Sequence, residues 1–463
     1  MKQRYFILLL LLLSSIICNA KIVYVSSSLG DDRSDGETME TPLKTISMAQ
    51  SRADTILLKS GERFYESIII RGGLISKYGG DELPIICGYK RITEPCWERV
   101  GENLWRISLV EDNFSGYITR GSTMLNNIGC LHEWNKDLIH GRKLQYKQQL
   151  KEDWDIWQTE HHRKAETREQ DFDSLYLYLR ENPNMLKIEF SVGKVAVVIS
   201  DATIENIRIE GFGFGVSAGA NTVIRKCEID AIGGMMQIND IEYICYGNGI
   251  EFWIKKDLSD CLVEKNIITR CYDCACTIQG RDLVSPANIS IKNNIIVDCC
   301  QAWEDFLTNE DPSAVFYQCV FDSNLVINSG SSSGFGYPNS RFKYCHVLGA
   351  NLKGVKGMII SNNTFIGGNY YCSAPYKDEY KSNVWQGNTC VIKRGDFVLS
   401  NYVGTKDVIR IPTEKGRFRS LSAATDEAIR RYRELTGDKT TRFVIKGNKS
   451  INRRIARYKK KYL

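Results

Sequence analysis

The side chains best suited to chemistry cluster between positions 249 and 305. Gly249-Ile250-Glu251-Phe252-Trp253-Ile254-Lys255-Lys256 brings together a carboxylate, an indole and two amines, and Arg281 follows about one repeat later. β-Elimination beside a uronate carboxylate needs a group to neutralise that carboxylate, a base, and a proton source for the leaving oxygen. Lys255, Lys256 and Arg281 are of the right types for these parts. Glycoside hydrolysis instead needs two carboxyl groups across a cleft. Asp273 lies seven residues after Asn266, and Glu304 and Asp305 lie ten and eleven after Asn294, so these acids fall on adjacent repeats. At a strand spacing of ~4.8 Å they can approach either the ~5 Å retaining or the ~6.5–9.5 Å inverting separation. Arg270 and Asp298 share offset four of successive repeats, where Arg270 either contacts substrate or pairs with Asp298 in a structural ladder.

Aromatic and soft residues widen the list. Trp253 and Trp303 are candidates for stacking on sugar rings, with core packing as the alternative. His132, His140, His161 and His162 fall with Trp134, Trp154 and Trp157 in a charged stretch, and His132 is the substrate-binding candidate among them. Cys271, Cys274 and Cys276 are close enough in sequence to suggest zinc, yet no second cluster with finger-like spacing follows. Stacked core thiols fit better. A nucleotide-binding glycine loop or a G-x-S-x-G elbow is absent in a workable context, which disfavours nucleotide-dependent and serine-hydrolase chemistry.

What must position these residues is a repeat. The phrase recurs as Asn206-Ile-Arg-Ile, Cys227-Glu-Ile, Asn266-Ile-Ile, Asn294-Ile-Ile, Asn324-Leu-Val, Asn363-Thr-Phe and Asn388-Thr-Cys, with a weaker copy at Cys345-His-Val. Short Ile- and Val-rich strands without intervening helices require a solenoid, each coil stacking on the last. An Asn at one point of every coil would form an amide ladder, and Cys227, Cys271, Cys299 and Cys390 are small enough to stack inward. The expected fold is all-β, a single-stranded right-handed parallel β-helix over 21–403. Strands are expected at Lys21–Ser26, Thr55–Lys59, Glu66–Arg71 and Leu175–Leu179, a capping helix within Pro42–Ala53, and an inserted, lid-like region at 112–190. A helix at Ala423–Leu435 ending at Gly437 and a basic tail are expected to complete 404–463.

The chain resembles secreted bacterial right-handed β-helix proteins of the pectate-lyase-like type. The matching residues are Tyr24-Val-Ser, Gly30-Asp31 and Thr41-Pro-Leu-Lys-Thr-Ile46, then Tyr176-Leu-Tyr-Leu-Arg-Glu-Asn-Pro183, Ile232-Gly-Gly and Tyr246-Gly-Asn-Gly-Ile-Glu-Phe-Trp253. In layout it is similar to the chondroitinase-B and alginate-lyase branch. That resemblance implies a polysaccharide lyase acting on a uronate polymer, a glycosaminoglycan first and a pectic polymer next. It implies Glu251 as a Ca²⁺ ligand, Lys255 or Lys256 as base and Arg281 as acid. The branch carries a pair of acidic residues where this chain has a single Glu after Gly-Asn-Gly. A β-helix glycoside hydrolase and a non-catalytic glycan-binding solenoid are the rival readings.

Composition sets the outer bounds. The 463 residues are 43% hydrophobic and 25% charged, an ordinary globular balance. Lys2 and Arg4, the apolar run 6–13 and Cys18-Asn19-Ala20 read as a signal peptide cleaved after Ala20, so a secreted, periplasmic or cell-surface monomer is expected. No nucleic-acid partner and no integral membrane segment are expected. The formal charge of +6 is uneven: residues 442–463 hold nine Lys or Arg and no Asp or Glu, which leaves residues 21–441 at −5.

Overall fold

Strand Ile250–Ile254 shows how the chain is built. Ile250, Phe252 and Ile254 are buried, while Glu251 and Trp253 point outward, the period of two that a one-sided strand requires. Ser259–Glu264 and Ile267–Cys271 complete the coil. The next coil, Cys274–Gly280, Ala287–Lys292 and Ile295–Val297, pairs with these three strands in parallel, strand for strand. A third coil, Gln301–Leu307, Val320–Asp322 and Leu325–Ile327, adds in the same way. The architecture is a parallel β-helix with three faces, here called first, second and third in chain order. The computed structural model describes residues 21–91, 97–108, 114–120, 123–127, 150, 153, 156–158, 174–186, 188–233, 235–238, 243–254, 258–271, 273–280, 285–299, 301–307, 315–329, 352–353, 356–367, 370–373, 382–393, 398–400, 409–410 and 420–462.

Corners between the second and third faces are made by one left-handed residue followed by an inward one. The left-handed residues are Lys226, Lys265, Asn293, Ser323, Asn362 and Gly387, all with φ between 52° and 64°. After each of the last five comes an Asn that is at most 1% exposed. These asparagines form the expected ladder. Asn266 donates its backbone N–H and its Nδ2 to Asn294 Oδ1, both at 3.0 Å. Asn294 does the same to Asn324, Asn324 to Asn363, and Asn363 to Asn388. Each Nδ2 also donates to a carbonyl of a preceding coil, as Asn324 does to Ile291. The ladder opens with the N–H of Cys227 on Asn266 Oδ1 and closes with the N–H of Asn388 on Thr441 Oγ1. Asn206 is not a rung. Register pairs Arg208 with Glu228, so Ile207 takes the inward position and Asn206 is the left-handed residue, with φ 56°.

Other corners use cysteine. Cys261, Cys271, Cys299 and Cys319 each follow a left-handed residue, and each thiol donates to the carbonyl two residues back. Cys87, Cys227, Cys261, Cys271, Cys274, Cys276, Cys299, Cys319 and Cys390 are free and buried. Burial pushes the thiols of Cys227 and Cys319 up to about 12, which leaves them protonated and inert.

The ends are closed by helices. Helix α1 (Ile46–Gln50) buries Ile46 and Ala49 over the first coil. Helix α2 (Leu421–Thr436) begins at the Ser420 cap and ends at Gly437 in the left-handed conformation, as the sequence predicts. Its Tyr432 is fully buried and meets Trp385 and Phe443 edge-on. The expected basic tail is instead structured. Arg442–Lys446 adds a parallel strand to the third face beside Thr389–Lys393, and helix α3 (Asn448–Tyr462) follows. Ile451 and Ile455 of α3 cover Val297, Ile327, Ile366 and Val391, the outward apolar residues of that face. Nothing in the local composition marks this strand, because its partner lies 53 residues earlier.

The elaboration expected at 112–190 is in part a small antiparallel sheet in the order Ile156–Gln158, Ser174–Tyr178, Leu104–Ser108, Glu98–Gly101. Phe114–Arg120 pairs with Thr123–Asn127 and with the start of Ile188–Glu205. The repeat insertion after Ile232 is the hairpin Met235–Ile238 with Tyr243–Tyr246. Cys345 lies outside the described residues.

Asn324→Ala would remove the acceptor of two Asn294 donors and the donor to Ile291. We expect a loss of about 2–4 kcal/mol in urea unfolding. A midpoint matching the parent chain would show that the ladder does not hold the coils.

Candidate active site

The first face brings three carboxylates together. Register aligns Ser217 with Glu251, Glu251 with Thr277, and Thr277 with Glu304, so one outward column runs Ser217, Glu251, Thr277, Glu304. Two coil steps put the backbones of Glu251 and Glu304 about 10 Å apart. Trp253 and Gln279 are neighbours in the next outward column. At the entry corner, Gln301 donates its N–H to Asp273 O and its Nε2 to Asp273 Oδ1 at 3.1 Å, which fixes that carboxyl beside the column. Asn248, 2% exposed, accepts from the Cys274 N–H and donates to Glu251 Oε2 at 2.7 Å. Gln279 Nε2 donates to the same oxygen at 2.6 Å. Gly249 is required here, because a Cβ would meet Ala275 O at 2.7 Å and Cys271 Sγ at 2.8 Å.

Burial acts on both Glu251 and Asp273. Burial raises the Glu251 carboxyl, and the amides of Asn248 and Gln279 oppose that shift by stabilising the anion. Burial lifts Asp273 to about 6; the Gln301 hydrogen bond pulls the other way, and the negative charge of Glu251 adds to the rise. Glu304 and Asp273 both raise the Cys274 thiol through their charges, which places both near that residue. Thr277 Oγ1 and Gln301 Oε1 are buried and have no hydrogen-bond partner among the described residues. The face thus carries two carboxyls raised by burial, a third nearby, and two buried polar oxygens without a partner among the described residues.

Several sequence candidates change role. Trp303 is a correction: it is fully buried, in register with the inward Cys276, and stacks on Phe321 at 5.5 Å, so its face is closed to sugar. Arg270 is another. It bonds Asp230 of the preceding coil through Nε at 2.7 Å and through Nη2, and Asp230 also holds Arg208. The expected Arg270–Asp298 ladder is thereby displaced by one coil, and Asp298 instead pairs with Lys459 at 2.7 Å. Asp305, next to Glu304, faces inward. Its Oδ2 accepts from Trp303 Nε1 at 2.9 Å, and burial holds its carboxyl well above the usual range. Trp253 keeps its outward place. Lys255, Lys256, Arg281 and His132 lie outside the described residues, as do His140, His161 and His162.

The Ca²⁺ role implied for Glu251 does not fit the described donors. Ca²⁺ takes six to eight oxygens, several of them carboxylate. Among the described residues no group of three His, Cys, Asp or Glu lies close enough to hold a metal ion. Glu251 Oε2 already receives two amide N–H donors. The thiols of Cys271, Cys274 and Cys276 are buried and raised by desolvation, and they form no such group either.

Asn248, Thr277, Gln279 and Gln301 were invisible as site residues, since neutral polar side chains carry no chemical signature. Counting in coils rather than residues could have found Thr277, which sits one coil from Glu251 and one from Glu304.

Asp273 has a testable linkage. Its carboxyl is raised in the folded chain, so the folded state gains stability when it is protonated. That gain is full below about pH 4, where the unfolded carboxyl is also protonated, and is lost as pH rises to about 6 and beyond. Asp273→Asn should therefore flatten the stability profile between about pH 4 and 6 and unfold later than the parent at pH 7, by roughly 1–3 kcal/mol. Parallel profiles for the two chains would contradict the burial of this group.

Comparison with known proteins gives distant structural likenesses. XylC in complex with xylose matches at 14% identity over 82% of this chain and 69% of that one, with a TM-score of 0.40. The GH136 lacto-N-biosidase from Eubacterium ramulus matches at 12% over 92% of this chain and 67% of that one, with a TM-score of 0.29. The tailspike protein gp49 from Acinetobacter baumannii bacteriophage Fri1, a capsular polysaccharide depolymerase, matches at 10% over 83% and 59%, with a TM-score of 0.24. No family model matches the sequence, and no curated protein matches it.

Proposed function

We propose that the protein is a glycoside hydrolase that cleaves a glycan lying along the first face. The observation that supports this reading is the pair Asp273 and Glu251: one carboxyl is lifted to about 6 by burial and by the charge of the other. Acid–base hydrolysis requires one carboxyl that holds a proton and a second that acts as base. Asp273 gives its proton to the departing glycosidic oxygen, and Glu251 takes one from the attacking water. The Asn248 and Gln279 amides orient Glu251, Glu304 adds an acceptor for sugar hydroxyls, and Trp253 offers an aromatic surface beside the column.

A second reading keeps the uronate lyase. Register ends strand Ile250–Ile254 beside strand Cys274–Gly280, with Ile254 opposite Gly280. Lys255 and Arg281, which follow Ile254 and Gly280 in the sequence, are of the types that elimination needs.

Digestion of a panel of neutral and uronate glycans separates the readings. Hydrolysis yields reducing ends without the ultraviolet absorbance of an unsaturated uronate; elimination yields both. Asp273→Asn and Glu251→Gln should each lower kcat by about a hundredfold or more. Activity of the parent chain should fall about tenfold per pH unit above pH 6, as the acid loses its proton, and Asp273→Asn should lose that limb. Appearance of the chromophore together with full activity of both variants would sink the hydrolase and leave the lyase.

A further inference from the structure

Helix α3 carries a cationic stripe that the proposed chemistry does not use. Ile451, Ile455, Tyr458 and Tyr462 form the side laid against the third face. Lys449, Arg453, Arg457 and Lys460 recur at steps of four, four and three, which puts them on the opposite side of the helix, and all four are exposed. The stripe is about 17 Å long. Residues 442–463 contain no acidic side chain, whereas the rest of the chain from residue 21 is net negative. Such segregation concentrates positive potential on one edge of an otherwise acidic body.

The surroundings select the ligand. The apolar side of α3 is already buried, so the helix cannot lay it into a bilayer as amphipathic membrane helices do. Its outward side presents no fully exposed aromatic residue for stacking on bases. At the C-terminal end of the stripe, Lys459 is anchored to Asp298, three residues before Gln301 and on the corner that leads into the coil of Glu304. A linear chain on α3 therefore lies along the stack of coils, beside the corner that precedes the first face.

We propose that the outer face of α3 is a non-catalytic binding surface for an anionic polysaccharide, held through its carboxylate or sulfate groups. The choice of a glycan over other polyanions rests on the cleft reading; the cationic surface itself does not.

The test uses the full chain and its variant Lys449→Gln, Arg453→Gln, Arg457→Gln, Lys460→Gln, with helix content checked by circular dichroism. The probes are chondroitin sulfate, dextran as uncharged control, vesicles of phosphatidylglycerol and phosphatidylcholine in equal parts, and a short DNA duplex. Binding of chondroitin sulfate should weaken with salt and fall roughly tenfold or more in the variant, because four exposed charge contacts are lost. Dextran should not bind either chain. Cleavage of short glycans should be unchanged in the variant, while Asp273→Asn should keep chondroitin sulfate binding and lose cleavage. Equal binding of chondroitin sulfate by parent and variant would overturn the proposal, as would tighter binding of the vesicles or the duplex. Loss of cleavage alone would fall on the cleft reading and leave this surface standing.

Discussion

The register of the coils rests on the Asn ladder. Every rung occupies a corner where the backbone turns inward and its polar groups leave the strand pattern. A buried amide there would be costly without partners. Stacking solves this by letting the Oδ1 of Asn294, Asn324, Asn363 and Asn388 each accept twice from the rung before it, while each Nδ2 reaches a carbonyl of an earlier coil. The ladder only closes if successive coils align at the same residue. It therefore sets which outward side chain lies above which.

The acidic column is a product of that alignment. Glu251, Thr277 and Glu304 are 26 and 27 residues apart, and no local pattern ties them together. A slip of one residue would turn Glu304 inward and Asp305 outward, because side chains alternate along a strand. The two adjacent acids accordingly have opposite fates. Glu304 stands in the outward column; Asp305 is sealed against Trp303, where burial raises its carboxyl well above the usual range. The same logic accounts for the cysteines. Cys227, Cys261, Cys271, Cys299 and Cys319 take the inward position after a left-handed residue, where a small apolar side chain with a weak donor fits.

The third face shows a different economy. Its early coils carry an ionic network of Arg208, Glu210, Asp230 and Arg270 facing outward. Its later coils present Val297, Ile327, Ile366 and Val391 instead, and helix α3 covers them. The helix uses one side to complete the core and leaves a cationic side free. A basic composition that reads as a solvated tail is thus part of the packed body.

The sequence by itself determined the solenoid: Ile- and Val-rich strands of period two, a recurring Asn, and spacings near one coil leave few other folds. It also determined the ladder from Asn266 onward, the inward cysteines and the C-terminal helix with its glycine stop. Phase was the limit. Asn206 matches the repeat by type yet sits one residue off, because the left-handed corner accepts Asn as readily as the rung does. Tertiary structure alone decided that Asp230 rather than Asp298 neutralises Arg270, that Trp303 is core, and that Glu251 and Asp273 share one environment. Those outcomes depend on contacts between coils some 20 to 40 residues apart, and on which neighbours exclude water. Residue type reports the capacity of a side chain for chemistry; burial and the charge beside it set its proton affinity, and both exist only once the coils are stacked.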